Sequence, residues 1–254
     1  VMPCGKHFVS KDVEVDGIEY ETQYALGSNL GIGDAEKVAF LNMLCDKLGM
    51  DVISTGVVIS WLMEASEKGI VKEDISFGDW KKAKEIIEKI AKREGIGKIL
   101  AEGVKKASET FGGKSFAMHS KGLELPAYDV RSLKGMGLGF ATSTRGGCHL
   151  RSLGYWINIK GEFYGIKVDR RKGENQGKAI ALGENFATIY DSAIVCKFYR
   201  GFYMLKEIGE ALYATTGIEF TEDELMKIGE RIWNAEHLLN IRWGWKKELS
   251  LIHI

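Results

Sequence analysis

The 254-residue chain has few of the features that would place it early in a specialised class. Its 35 basic residues balance 35 acidic ones, so it lacks the one-signed charge that binds nucleic acid, and no nucleic-acid partner is expected. No apolar run reaches the ~18 residues of a membrane helix, and the opening Val-Met-Pro-Cys lacks the charged and apolar regions of a signal peptide. The expectation is a soluble, cytoplasmic chain with no membrane partner. The 4 cysteines, Cys4, Cys45, Cys148 and Cys196, include no close pair, which excludes a dense secreted disulfide scaffold and leaves thiols or metal ligands in a reducing compartment. His7, His119 and His237 sit in no Glu-x-x-His or His-x-x-x-His spacing, so zinc is not expected. Prolines number only 2, against 31 glycines, the residue of tight turns and close backbone approach. Hydrophobic residues at 45% and charged residues at 28% suit an ordinary folded core.

Helical periodicity dominates what remains. Asp34 caps a segment bearing Val38, Leu41, Cys45 and Leu48 and stopped by Gly49. Val57 to Lys68 reads as a second helix ending at Gly69. Asp79 opens a third, carrying Ile86, Ile87 and Ile90 and stopped at Gly95, and Gly97 to Thr110 reads as a fourth. Thr221 and Glu224 form a capping box before Leu225, Ile228, Ile232 and Leu239. Strand signals are confined to Val13–Tyr20 and Tyr155–Ile159, and Lys160–Lys178 reads as a charged surface loop. The fold expected is mainly α, in two helical domains, 1–122 and 123–254, parted at the non-helical stretch before Pro126.

The residues able to carry chemistry are concentrated. Lys134 to His149 holds five glycines together with Arg145, Cys148 and His149. Its Gly135-x-Gly137-x-Gly139 spacing is not a dinucleotide fingerprint, and close helix packing accounts for it equally well. Adjacent Cys148 and His149 cannot face each other on a regular element, which argues against a thiol hydrolase. Two segments are alike: Asp46-Lys-Leu-Gly-Met50-Asp51 and Asp191-Ser-Ala-Ile-Val195-Cys196. Each opens on an aspartate and places a ligand or acceptor five residues on, so a helix end and turn would aim both side chains at one small ligand. Taken singly, capping and turn roles explain the aspartates, and Cys196 alone could be a small buried hydrophobe. As a ligand, its thiolate suits iron–sulfur chemistry.

With these stand Tyr20-Glu-Thr, Leu26-Gly-Ser-Asn29, Cys45 to Gly56, Arg93-Glu-Gly-Ile-Gly97, Leu100-Ala-Glu-Gly103, Lys121 to Asp129, Thr144 to His149 and Asp191 to Phe198, in that order. Together they resemble the C-terminal two-thirds of the aldehyde ferredoxin oxidoreductase family, the tungsten–pterin enzymes. The resemblance implies the helical domains 2 and 3 of that fold, without the N-terminal β-rich domain beneath the pterins. It also implies a tungsten (or molybdenum) bis-pterin and a [4Fe–4S] cluster. Oxidation of a small aldehyde to a carboxylate, ferredoxin as electron acceptor and a homodimer for the full-length protein follow from the same likeness. By position it makes Glu21 and His149 catalytic, with Glu21 handling the proton and His149 hydrogen-bonding oxygen. Asp46, Met50, Asp51, Arg151, Asp191, Val195 and Cys196 fall to cofactor binding, and Cys4 and Cys196 to the cluster. Related carboxylate or benzoyl-type reductases share these motifs, and an inactive helical binding fragment would retain them. Because the chain begins at the family's third cluster cysteine and ends in the divergent Glu248 to Ile254, the expectation is a truncated piece that holds cofactor poorly, exposes apolar surface and is inactive alone.

Overall fold

A computed structural model describes residues 5–245, so Cys4, His253 and the divergent tail lie outside the described residues. The architecture is mainly helical, and the chain divides into two compact units, one up to Ala127 and one from Tyr128.

The first unit opens with a hairpin, β1 (Phe8–Val9) against β2 (Glu14–Val15). The strand expected over Val13–Tyr20 is therefore only two residues long, and Tyr20 already begins α1 (Tyr20–Thr22). α1 runs on through a π-helical turn, Gln23–Gly27, and a 3-10 turn, Ser28–Leu30. α2 (Ala35–Leu48) begins where expected, with the Asp34 carboxylate accepting from the Glu36 and Lys37 N–H groups, and stops at Gly49, φ 67°. α3 (Val52–Glu67) starts five residues before the expected Val57, because Asp51 caps it by accepting from the Ser54 N–H. Its buried residues include Val57, Val58, Ile59, Trp61, Leu62 and Met63, so burial nearly all round blurs the amphipathic pattern that marks a helix start. α4 (Trp80–Lys92) is capped by Asp79 and ends at Arg93, itself left-handed at φ 54°, two residues before the expected Gly95.

The helix expected over Gly97–Thr110 is two helices. α5 (Gly97–Leu100) and α6 (Gly103–Phe111) part at Gly103, whose φ of 87° breaks the helix before α6 begins. A second hairpin, β3 (His119–Ser120) with β4 (Leu123–Glu124), turns through Lys121 and Gly122, both at positive φ. It delivers Glu124 to the start of α6, where the carboxylate accepts from the Val104 N–H at 2.7 Å. Glu102 provides no side-chain cap there, so the capping group comes from a hairpin twenty residues on. The core of this unit gathers Leu26, Leu41, Ile59, Leu62, Ile86 and Leu100.

In the second unit, α7 (Lys134–Thr142) is the glycine-rich segment and α8 (Gly154–Lys160) packs against it. A Cβ on Gly154 would lie 2.9 Å from the Gly135 carbonyl oxygen, so these glycines serve close helix contact. Tyr155–Ile159, expected as a strand, lies inside α8. Its run of aromatic and β-branched residues is buried on one face only, with Ile159 exposed, which periodicity alone cannot separate from a strand. The charged stretch from Lys160 includes a short hairpin, β5 (Glu162–Phe163) with β6 (Ile166–Lys167), before α9 (Gln176–Ser192) begins. α10 (Leu205–Thr216) and α11 (Glu222–Arg242) complete the unit, α11 with the expected Thr221–Glu224 capping box. α9 packs along α11, around Phe186, Tyr190, Ile208 and Leu225. Among the described residues no single helix is long and apolar enough to cross a membrane.

Candidate functional site

Both aspartate motifs fold into the same local device. In the first unit α2 ends on Asp46-Lys-Leu48, and the Gly49 N–H donates to the Asp46 carbonyl at 3.1 Å while the Met50 N–H donates to that of Cys45 at 2.9 Å. In the second, the Ile194 N–H donates to the Asp191 carbonyl at 3.2 Å and the Val195 N–H to that of Tyr190 at 2.9 Å. Each is a helix stop built on one left-handed residue. The residue that follows leaves the turn in matching backbone, φ −68° and ψ 126° at Asp51 and φ −62° and ψ 126° at Cys196. Met50 and Val195 occupy equivalent places and turn inward, packing against their own unit's core. In the second copy the left-handed residue is Ile194, φ 55°, a β-branched side chain that costs about 1–3 kcal/mol there.

Around the first turn, Asp46 accepts from Asn42 Nδ2 at 2.9 Å and Asn42 Oδ1 accepts from the Thr22 hydroxyl at 3.2 Å. That ties the turn to the residue beside Glu21. Asp51 accepts from the Ser54 N–H at 2.7 Å. Both aspartates are exposed, and neither pairs with a cation among the described residues. Asp51 also borders a cavity of about 350 Å³ lined by Met50, Ser54, Gly103 and Glu124. Glu21 accepts from the Ala127 N–H at 2.9 Å. Burial pushes its carboxyl above the ordinary value, the Ala127 N–H draws it partway back, and the Asp51 charge pushes it up again. A carboxyl so placed can hold or release a proton closer to neutrality than an exposed one. Cys45, one residue before the motif, is a core residue: burial pushes its thiol up to about 12.

The second turn is electrostatically unlike the first. Asp191 accepts from Arg151 Nη1 at 2.8 Å and from Lys197 Nζ at 2.9 Å. Arg151 is buried, and its other terminal nitrogen donates to Glu236 and to the Thr144 hydroxyl. Its Nε is buried without an acceptor among the described residues, which leaves one donor to offer. Lys197 is also buried and donates to the Leu150 carbonyl at 2.6 Å. Burial draws its ammonium below the ordinary value, and Asp191 restores part of the loss. Cys196, between these cation-bound groups, is exposed.

His149 lies half-buried against Tyr128, ring centroids 5.2 Å apart, and Tyr128 stacks on Tyr155 at 4.4 Å. Burial, then the charges of Lys197, Arg200 and Arg145, hold the imidazole down at about 4. His149 is therefore neutral near pH 7, able to donate from one nitrogen and accept at the other. A base held below its ordinary 6.5 stabilises the fold fully above that pH and loses this contribution as pH falls through about 4. The unit should lose up to about 3 kcal/mol across that window, and His149→Gln should flatten this part of a urea-midpoint profile taken against pH.

Taken unit by unit, the polar groups suit a pterin's ring amines and oxygens. Asp46 and Asp51 each keep a carboxylate oxygen for ring amines, and Arg151 keeps Nε for an oxygen. For an iron–sulfur group the fit is partial: Cys196 gives one exposed thiol, Cys45 and Cys148 are buried, and Cys4 lies outside the described residues. No three His, Cys, Asp or Glu side chains are grouped to hold a metal ion among the described residues. Sequence reasoning missed Lys197, Asn42, Glu236 and Tyr128. Lys197 directly follows Cys196 and Asn42 lies four residues before Asp46, a same-face spacing, so both had a signal. Glu236, 85 residues from Arg151, had none.

Known proteins resemble the chain over most of its length. The family described as "Aldehyde ferredoxin oxidoreductase, domains 2 & 3" matches residues 1–252. A tungsten-containing aldehyde ferredoxin oxidoreductase of Pyrococcus furiosus is 41% identical over 239 residues, 91% of this chain and 39% of that protein. Its counterpart in Pyrococcus horikoshii is 39% identical over 95% of this chain and 41% of its own length. An aliphatic sulfonate oxidoreductase, WOR-like subunit, of P. furiosus is 34% identical over 90% of this chain and 35% of its own. The chain thus spans about 40% of the length of the aldehyde oxidoreductases it matches. Among solved structures, the active site complex BamBC of benzoyl coenzyme A reductase shares the fold, with a TM-score of 0.78 at 18% identity over 97% of this chain and 44% of that one. The chain belongs to the aldehyde ferredoxin oxidoreductase family, in its domain 2 and 3 region.

Proposed function

We propose that this chain forms the pterin-binding and proton-handling part of a tungsten (or molybdenum) bis-pterin, iron–sulfur enzyme that oxidises small aldehydes to carboxylates and passes electrons to ferredoxin. The observation that carries the reading is the matched pair of turns. One motif ends in a carboxylate and the other in a thiol on the same backbone, and the second keeps that backbone with a strained Ile194 where glycine would be free. When bound, the metal–pterin group supplies the two-electron redox chemistry.

The chain's own residues do the rest. Asp46 and Asp51 accept hydrogen bonds from a pterin through their remaining oxygens, and Arg151 donates from Nε. Asp191 takes part with its charge already offset by Arg151 and Lys197. Glu21 takes a proton from the water that becomes the new carboxylate oxygen. Neutral His149 donates to the carbonyl oxygen, where negative charge builds. One aldehyde and one water thus become a carboxylate, three protons and two electrons.

The test is metal analysis and aldehyde-dependent ferredoxin reduction by the protein that carries this chain. About one tungsten or molybdenum per chain with aldehyde oxidation supports the reading, and a metal-free, inactive protein overturns it. Glu21→Gln should lower kcat about 10²–10⁴-fold. The same substitution should stabilise the fold at neutral pH. A carboxyl raised by burial contributes fully below its ordinary 4.5, and that contribution is lost as pH rises through the folded value. A lower melting temperature at pH 7 would contradict the burial argument.

A further inference from the structure

Four cations gather around His149 and its neighbours in the second unit. Arg151 and Lys197 are matched by the Asp191 and Glu236 carboxylates. Arg145 and Arg200 have no carboxylate partner among the described residues, yet their charges act on His149 together with that of Lys197. Arg145 is exposed, so water and salt screen it. Arg200 is half-buried and fixed in place. Its Nη1 donates to the Lys197 carbonyl at 2.7 Å, and its guanidinium lies 5.2 Å from the Tyr155 ring, 5.7 Å from Trp156 and 5.7 Å from Phe198. Tyr155 is also a neighbour of His149, ring centroids 6.0 Å apart, and Tyr128 stacks on both rings. Contact with ring faces orients a guanidinium without using its N–H donors. The Arg200 Nε is buried without an acceptor among the described residues, and a buried donor left unpaired is costly. What this position lacks is an anion.

We propose that Arg200 is a specificity-determining residue: it binds the acid group of an aldehyde that carries a carboxylate or a similar anion at its far end, while His149 faces the carbonyl. This rests on the aldehyde-oxidising function proposed above. A guanidinium meets carboxylate oxygens with charge-assisted hydrogen bonds, the strong kind, and here its rings and the Lys197 carbonyl hold it ready. The acid group passes through the reaction unchanged. A neutral aldehyde of the same length leaves the Arg200 charge unanswered and gains no hydrogen bond from it.

The experiment compares kcat/KM for 4-oxobutanoate and for butanal, an acid and a neutral aldehyde of equal chain length, in the holoenzyme that carries this chain. The ratio should favour 4-oxobutanoate by about tenfold or more, the worth of a hydrogen bond to a charged group, and should shrink as salt is added. Arg200→Gln should abolish the preference, chiefly through a raised KM for 4-oxobutanoate, and Arg200→Lys should keep part of it. Because the readout is a ratio, a general loss of activity does not mimic the effect. Calorimetric titration of the parent with succinate and with butyrate keeps the proposal falsifiable if Arg200→Gln fails to fold: succinate should bind more tightly, and equal binding overturns the proposal. Equal kcat/KM for the two aldehydes in the parent, or an unchanged ratio in Arg200→Gln, overturns the role of Arg200 and leaves the enzyme reading standing. Loss of pterin from Arg200→Gln would assign the anion to the cofactor's phosphate and overturn it likewise. A parent that oxidises neither aldehyde overturns both.

Discussion

Gly56→Ala is expected to destabilise the first unit by about 3 kcal/mol, the upper end of overpacking costs, even though alanine favours helix by about 1 kcal/mol. Gly56 lies in α3 against the π-helical turn, and a Cβ there would stand 2.5 Å from the Ala25 carbonyl carbon and 2.8 Å from the Ala25 Cβ. The obstacle is backbone, not the end of a flexible side chain, so no rotamer change relieves it. The Asn29 side chain also spans the contact, donating to the Gly56 carbonyl at 3.4 Å and to Ser60 Oγ at 2.9 Å. Retreat of the π-helical turn would carry α1 and Glu21 with it, so the proton transfer proposed for Glu21 should fail along with stability. Gly177→Ala is the control. It is also helical, in the first turn of α9, with nothing within 4 Å of its added Cβ, and it should be neutral or slightly stabilising. Urea midpoints of the two variants check the contrast, and equal midpoints would mean that the close approach at Gly56 is not needed.

That contact also shows where sequence reasoning stops. Local rules carried the helix ends far: Asp34, Asp79 and Thr221 cap where their side-chain chemistry requires, and Gly49 stops α2. They failed where tertiary burial decides. α3 is buried nearly all round from Thr55 on, so its pattern does not mark where the helix starts, although Asp51 was a good capping residue in plain view. Tyr155–Ile159 is β-prone in composition and helical because α7 offers a glycine-lined surface to pack on. The two aspartate motifs were legible as a pair because a helix stop needs only five or six consecutive residues, all inside the motif. What surrounds them was not. Glu236 lies 85 residues beyond Arg151, and its carboxylate reaches Arg151 from α11, which packs along α9. The same distance effect hid Glu124, a capping group delivered to α6 by a later hairpin.

Arg151→Met should be the most damaging single change in the second unit. The guanidinium forms two ion pairs at once, with Asp191 and Glu236, and its side chain is 10% exposed while each partner carboxylate keeps about a third of its exposure. Removing one member of a buried pair costs about 3–5 kcal/mol because the charge left behind is uncompensated. The residual exposure of the carboxylates places this case near the lower figure. A methionine also keeps the aliphatic stem against Trp233, which the guanidinium faces at 5.6 Å, so the loss reports charge and hydrogen bonds more than packing. Arg151→Lys should recover only part of it, since a single ammonium cannot serve Asp191, Glu236 and Thr144 from separate nitrogens. The double variant Arg151→Met with Glu236→Gln separates stability from function. It removes one stranded charge and should regain some of the melting temperature, yet Asp191 would keep Lys197 as its one cation, and the pterin retention proposed above should stay low. If Arg151→Met melted like the parent, the Lys197 pair would suffice to hold Asp191, and the double ion pair through Arg151 would not be needed for the fold.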